Sequence, residues 1–222
     1  MERTREYETL LIIDGAYLKL GAKDLERKMR RSIEFSENVV RQIIDYIQTK
    51  TGVFIDERVF ISAEDDKKSI ESQNRRRAFR ECFEKNKFVV DMRSIVFHHA
   101  FCENKPACPY SKGKAANGLS YPMQREVDIA IAMRPIRAKV EHPTMKNLIL
   151  LAGDGDFTDM VKFMLNTYKV NVFIVGWSDS LNYRISELDK TVYLDELFET
   201  ISMVKPGATL TNADRLKQDP LF

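Results

Sequence analysis

Apolar residues fall into five short runs, at residues 9–13, 58–62, 88–96, 147–152 and 171–176, each bounded by turn-forming or charged positions. Runs of this length, rich in Val, Ile, Leu and Phe, read as strands. The longer segments between them carry helical spacing. Over residues 36–52, Ser36 can cap a helix that gathers Val39, Val40, Ile43, Ile44 and Ile47 on one face, and Gly52 can end it. Residues 66–86 read as a charged helix with Ile70, Phe79, Cys82 and Phe83 as its inner stripe. Residues 124–133 read as a helix that Pro135 stops or kinks, and residues 157–168 as one carrying Phe157, Met160, Val161, Met164 and Leu165. Strands alternating with helices predict an α/β protein, a three-layer α/β/α arrangement around a mainly parallel central sheet.

Two regions fit no period. Residues 98–122 form a long irregular insertion, and a loop of that length inside a compact domain is usually functional or disordered. Residues 206–222 read as a polar tail with little to bury, which leaves one domain over residues 1–205. With 222 residues and 44% apolar composition the chain can fill one sizeable core. Its 35 basic and 33 acidic residues balance to +2, so overall charge selects no partner and only local clusters can. The odd set Cys82, Cys102 and Cys108 does not suit a secreted disulfide scaffold. The first apolar run is too short for a leader or a membrane span. An intracellular protein without a membrane segment is expected, in the cytoplasm rather than the nucleus.

The chemistry concentrates where strands end. Asp14 follows "TLLII" and Asp154 follows "LILLAG", and in open α/β sheets ligands sit outside the carboxyl ends of the strands. Asp156 stands two residues beyond Asp154, where it can cap the helix at 157 or face the same site. Asp128 lies among Val127, Ile129, Ala130 and Ile131, beside an apolar face where a carboxylate needs a partner. Crowded carboxylates call for a cation, a proton or a basic residue. Four of them offer oxygen ligands only, which suits Mg²⁺ or Mn²⁺ and argues against zinc. Phosphoester hydrolysis is the chemistry that such a site supports.

The segments "LLIIDGAYL", "REVDIAIAM" and "LILLAGDGDFTDMV", in that order and spacing, resemble the signature segments of NYN domains, which have the PIN-like ribonuclease fold. "SDSLNYRISELDKTVYLDEL" is similar to that family's closing segment, so the resemblance spans roughly residues 7 to 200. It implies a Mg²⁺- or Mn²⁺-dependent endoribonuclease with RNA as its partner, in which Asp14, Asp128, Asp154 and Asp156 are both the catalytic and the metal-binding set. Arg125 takes the place of the basic residue usually found shortly before the second acidic position, and could contact a phosphate. Two departures stand out: Ala16 and Tyr17 occupy a stretch where the family often carries Asn, and Arg134 beside Pro135 replaces a further acidic residue. The alternative is a catalytically weak or inactive RNA- or protein-binding module on the same fold, a subunit of an RNA-processing assembly; under either reading, protein partners or a homodimer are the further partners considered.

Other readings are narrower. "DGDFT" also fits the nucleophile pattern of haloacid-dehalogenase phosphatases, but that motif belongs after the first strand, where "DGAYL" has Ala16 in place of the second Asp. The chain has no glycine-rich dinucleotide fingerprint, no Walker lysine and no Gly-x-Ser-x-Gly elbow, so no nucleotide cofactor is expected. His98, His99, Cys102 and Cys108 lie close enough in sequence to hold a structural zinc. Lys112 and Lys114, with Arg125, bring positive charge toward Asp128 and are candidate RNA contacts, and Tyr110, Tyr121 or Trp177 could stack a base. Arg75, Arg76, Arg77 and Arg80 alternate with glutamates on one helix, the pattern of a solvated face.

Overall fold

A computed structural model describes residues 6–64, 70–99, 120–124, 126–188, 190–201 and 203–204. The central sheet is built from β1 (Thr9–Asp14), β3 (Glu57–Glu64), β4 (Val89–His99), β5 (Ser120–Gln124), β6 (Asn147–Leu151), β7 (Asn171–Gly176) and β8 (Lys190–Tyr193), with β2 (Arg31–Ser32) and β9 (Met203–Val204) forming a separate antiparallel pair. The order across the sheet is β5-β4-β3-β1-β6-β7-β8. All neighbours run parallel except β5, which lies antiparallel to β4. The chain therefore walks outward from β1 through β3 and β4, then returns to the other side of β1 and walks outward again. The reversal lies between β1 and β6, where Ile13 pairs with Leu151.

Helices cover both faces. Odd-numbered residues of β1, Leu11 and Ile13, join one core with α1 (Gly15–Met29), α2 (Glu37–Thr51), α3 (Ile70–Lys85) and α7 (Asp195–Ile201). Even-numbered Leu10 and Ile12 join the other with α4 (Val127–Glu141), α5 (Thr158–Asn166) and the short α6 (Tyr183–Ser186). Period-two alternation thus feeds two hydrophobic cores, and the three-layer α/β/α arrangement is the result. Ser36 caps α2 by accepting from Val39 N at 3.3 Å, and Gly52 closes it in the left-handed conformation. On the α2–α3 side Phe60 stacks on Phe83 at 4.1 Å between ring centroids, with Phe79 and Phe88 edge-on to Phe83.

The structure corrects several expectations. Pro135 neither stops nor ends a helix: α4 runs through it to Glu141, and Gln124 belongs to β5 instead. The proline forgoes one backbone bond, but Val127, Ile131, Pro135 and Ala138 form one buried stripe that holds the helix against the sheet on both sides of it. Residues 98–122 are not irregular throughout, since His98 and His99 end β4 and residues 120–122 begin β5, paired with them. The rest of that insertion and the tail at 206–222 lie outside the described residues. Helix α1 was not visible as a periodic segment, because its inner face mixes Gly15, Gly21 and Ala22 with Leu18 and Leu25. No helix among the described residues is long and apolar enough to cross a membrane.

Phe83→Ala should destabilise the protein by about 3–5 kcal/mol, because the ring is fully buried and its neighbours are themselves rigid aromatics. Urea unfolding measures this, and a cost below about 1 kcal/mol would contradict the packing described.

Candidate active site at the carboxyl edge of the sheet

Asp14 is the last residue of β1 and the N-cap of α1. Its Oδ1 accepts from Ala16 N at 2.9 Å and from Tyr17 N at 3.1 Å, so both cap bonds fall on one oxygen. Three residues past the end of neighbouring β6, Asp154 makes the same kind of cap on the 3₁₀ turn Gly155–Phe157, with Oδ1 accepting from Asp156 N at 2.9 Å. Asp128 lies in the first turn of α4, whose C-terminal end leads back to the start of β6, so its N-terminus is at the carboxyl edge too. Sequence-distant carboxylates meet there because β1 and β6 are paired and parallel.

The electrostatics report the convergence. Burial foremost pushes the Asp14 carboxyl up from the ordinary 3.8 to about 6; the backbone N–H groups of Tyr17 and Ala16 oppose this, and the negative charges of Asp128 and Asp154 add to it. Asp128 is exposed, yet partial loss of hydration followed by the charges of Asp154 and Asp156 also raises its pKa. The expectation that Asp128 sits against an apolar face is therefore corrected: Val127 and Ile131 turn inward and Asp128 with Ile129 turns out, so it needs no buried partner. Among the described residues Asp128 has no ion pair, with Arg134 or any other. Asp156 does not cap the helix, which starts from Phe157 with no side-chain cap; Asp154 caps the preceding 3₁₀ turn, and Asp156 is exposed in that turn.

Among the described residues, no group of three or more His, Cys, Asp or Glu side chains stands as a ready ligand set. Asp128 and Asp156 are exposed, so their side chains can rotate at little cost, whereas Asp14 is held by its two backbone donors and Asp154 by one. A shared cation would be held by the oxygen atoms the caps leave over, with Asp14 as the fixed point. The donor set, oxygen only and net negative, fits a hard divalent ion.

Tyr17, which the sequence marked only as a departure, organises this edge. Its ring presses close on Gly153, where an added Cβ would stand 2.1 Å from Cε2, and its hydroxyl accepts from Trp177 N at 2.9 Å. Gly176 is kept bare by the same hydroxyl, at 2.8 Å from where its Cβ would be. Asn182 does the equivalent service next door: its N donates to Gly153 O at 3.0 Å and its side chain fills the space over Gly155. The only sequence signal for these contacts was the glycines themselves.

Other candidates separate. Trp177 is 3% exposed and packs against Gly21 and Phe198, so it is a core residue and not a stacking platform. A cleft of about 300 Å³ between α1 and the turn after β7 is lined by Gly21, Asp24, Lys28, Trp177, Asp179 and Asp195, and none of the four aspartates lines it. On α3, Arg75, Arg77 and Arg80 pair with Glu71, Glu81 and Glu84 one turn away, the solvated face expected. Arg125, Lys112, Lys114, Tyr110, Cys102 and Cys108 lie outside the described residues, as do the side chains of His98, His99 and Tyr121.

No family model matches the chain, and no curated protein does. Among solved structures, a protein of unknown function from Vibrio parahaemolyticus is similar, with a TM-score of 0.51 over 87% of this chain and 96% of that one at 13% identity. Likeness at that identity supports the α/β fold alone.

Two outcomes follow from the geometry. Folded Asp14 keeps its proton to about pH 6 whereas an unfolded aspartate releases it near 3.8, so stability falls as pH rises through that window. Asp14→Asn, which can still cap, should be more stable than wild type at pH 7 by up to about 3 kcal/mol, at about 1.4 kcal/mol per pKa unit, with the gap closing by about pH 4. A pH-independent difference would refute the burial argument. Gly153→Ala should cost about 1–3 kcal/mol in the wild-type background and almost nothing when Tyr17 is already Ala. Additive losses in that double-mutant cycle would mean that the ring does not press on Gly153.

Proposed function

We propose that the chain is a divalent-metal-dependent ribonuclease of PIN-like type, cutting RNA internally. The observation that supports the reading is the placement of Asp14, Asp128, Asp154 and Asp156 at the sheet edge where strand order reverses, near enough that the charges of Asp128 and Asp154 add to the rise of Asp14 to about 6. Uncompensated carboxylates gathered at the edge where open α/β sheets bind ligands are a costly arrangement unless used. Mg²⁺ or Mn²⁺ bound by these four would supply Lewis acidity toward a water and the phosphodiester. Asp14 contributes a fixed oxygen, held by α1 and ionised above about pH 6. Asp154 is oriented by its cap on the 3₁₀ turn, and Asp128 and Asp156 can rotate toward the same point. The resemblance to NYN domains in the segments around these aspartates supports the same reading, with Arg125, Lys112 and Lys114 as RNA contacts.

A second reading, an RNA- or protein-binding module without cleavage, is favoured by two observations. The acidic groups do not stand as a ready ligand set, and Tyr17 is packed into the stretch where the family often carries Asn. Incubation of labelled RNA with Mn²⁺ or Mg²⁺ separates the two. The nuclease reading expects metal-dependent internal cleavage that falls about 100-fold or more in Asp154→Asn. RNA retained by wild type without any cleavage would leave the binding module.

A further inference from the structure

The aromatic residues that the sequence offered for base stacking are either in the core or outside the described residues, yet the site has an exposed ring beside it. Tyr183 is 63% exposed at the start of α6. Its predecessor Asn182 is tied to the acidic loop twice, through its backbone N–H to Gly153 O and through its side chain over Gly155. Asn182 Oδ1 also accepts from Arg184 N at 3.0 Å and so fixes the first turn of α6. Consecutive Cα atoms are 3.8 Å apart, so Tyr183 and Arg184 begin within two residues of the loop that carries Asp154 and Asp156. The Arg184 guanidinium stands 6.0 Å over the Tyr183 ring, and its Nε donates to the phenol oxygen at 3.4 Å. Among the described residues Arg184 forms no ion pair, in contrast to the arginines of α3.

We infer that Tyr183 and Arg184 form a lip that holds single-stranded RNA beside the acidic site, the ring stacking one unpaired base and the guanidinium neutralising an adjoining phosphate. This rests on the ribonuclease reading for its substrate. A carboxylate cluster repels a polyanion, so a strand threading past it needs a positive group and a neutral contact surface nearby. An aromatic face supplies the second without regard to base identity. The lip selects single strands because the bases of an A-form duplex present no free face to stack on. Both side chains are exposed, so truncating them opens no cavity and leaves the aspartates untouched.

Fluorescence anisotropy with a short labelled oligouridylate, in EDTA, measures binding apart from cleavage. Tyr183→Ala should weaken binding about 5- to 100-fold while Tyr183→Phe and Tyr183→Trp retain it. Arg184→Ala should reduce the slope of log affinity against log salt by about 0.7, with Arg184→Lys restoring it. A duplex of the same length should bind more weakly and be indifferent to Tyr183→Ala. Binding of both alanine variants within about twofold of wild type would overturn the lip, and if wild type still cleaved RNA in Mn²⁺ the nuclease reading would survive it. Tyr183-dependent binding without cleavage would keep the lip and remove the nuclease. Wild type that neither binds nor cuts RNA would remove both.

Discussion

The parallel pairing of β1 with β6 is the constraint on which the site depends. Both strands are apolar on both faces and buried under helices, so their backbone groups must bond to neighbouring strands, β1 to β3 and β6, and β6 to β1 and β7. Once Ile13 stands opposite Leu151, Asp14 and Asp154 must leave the sheet at one edge, whatever separates them along the chain. The strand order makes this the place where the connections diverge to opposite sides, the position at which open α/β sheets bind ligands. Four carboxylates are thereby brought to a common edge at a cost that burial of Asp14 makes explicit.

The fold offsets part of that cost with its own dipoles. Asp14 caps α1 and Asp154 caps the turn leading into α5, so each carboxylate takes backbone N–H groups at a helix start. The N-terminus of α4 points the same way, with Asp128 in its first turn. Helix starts favour negative charge, but only over the first turn and by modest amounts. For Asp14 these donors lower the pKa and burial still wins.

Tyr17 and Asn182 make the edge rigid. One wedges a ring between Gly153 and Gly176, the other fills the space over Gly155, and both reach across from other elements to do so. Glycines in "LLAGDGDF" are thus required by close approach of neighbours and not by backbone conformation, since their φ angles are not left-handed. The same tie from Asn182 carries Tyr183 and Arg184 to the loop, so the acidic site and its proposed RNA contact share one support.

The five strands at β1, β3, β4, β6 and β7, helix α2 with its Ser36 cap, and the three-layer architecture were determined by the sequence itself, because period-two and period-3.6 patterns and caps are local properties. The acidic residues were also legible, as carboxylates placed directly after apolar runs. Other features waited for tertiary structure. Helix α1 carries glycines that only make sense against Phe60 and Trp177, and α4 passes through Pro135 because a buried stripe outweighs one lost hydrogen bond. Trp177 became core through Gly21, and Tyr183 stayed outside through Asn182. In each case the deciding partner lies on another element, so the free energy that fixes the residue's role belongs to a contact that no local pattern encodes.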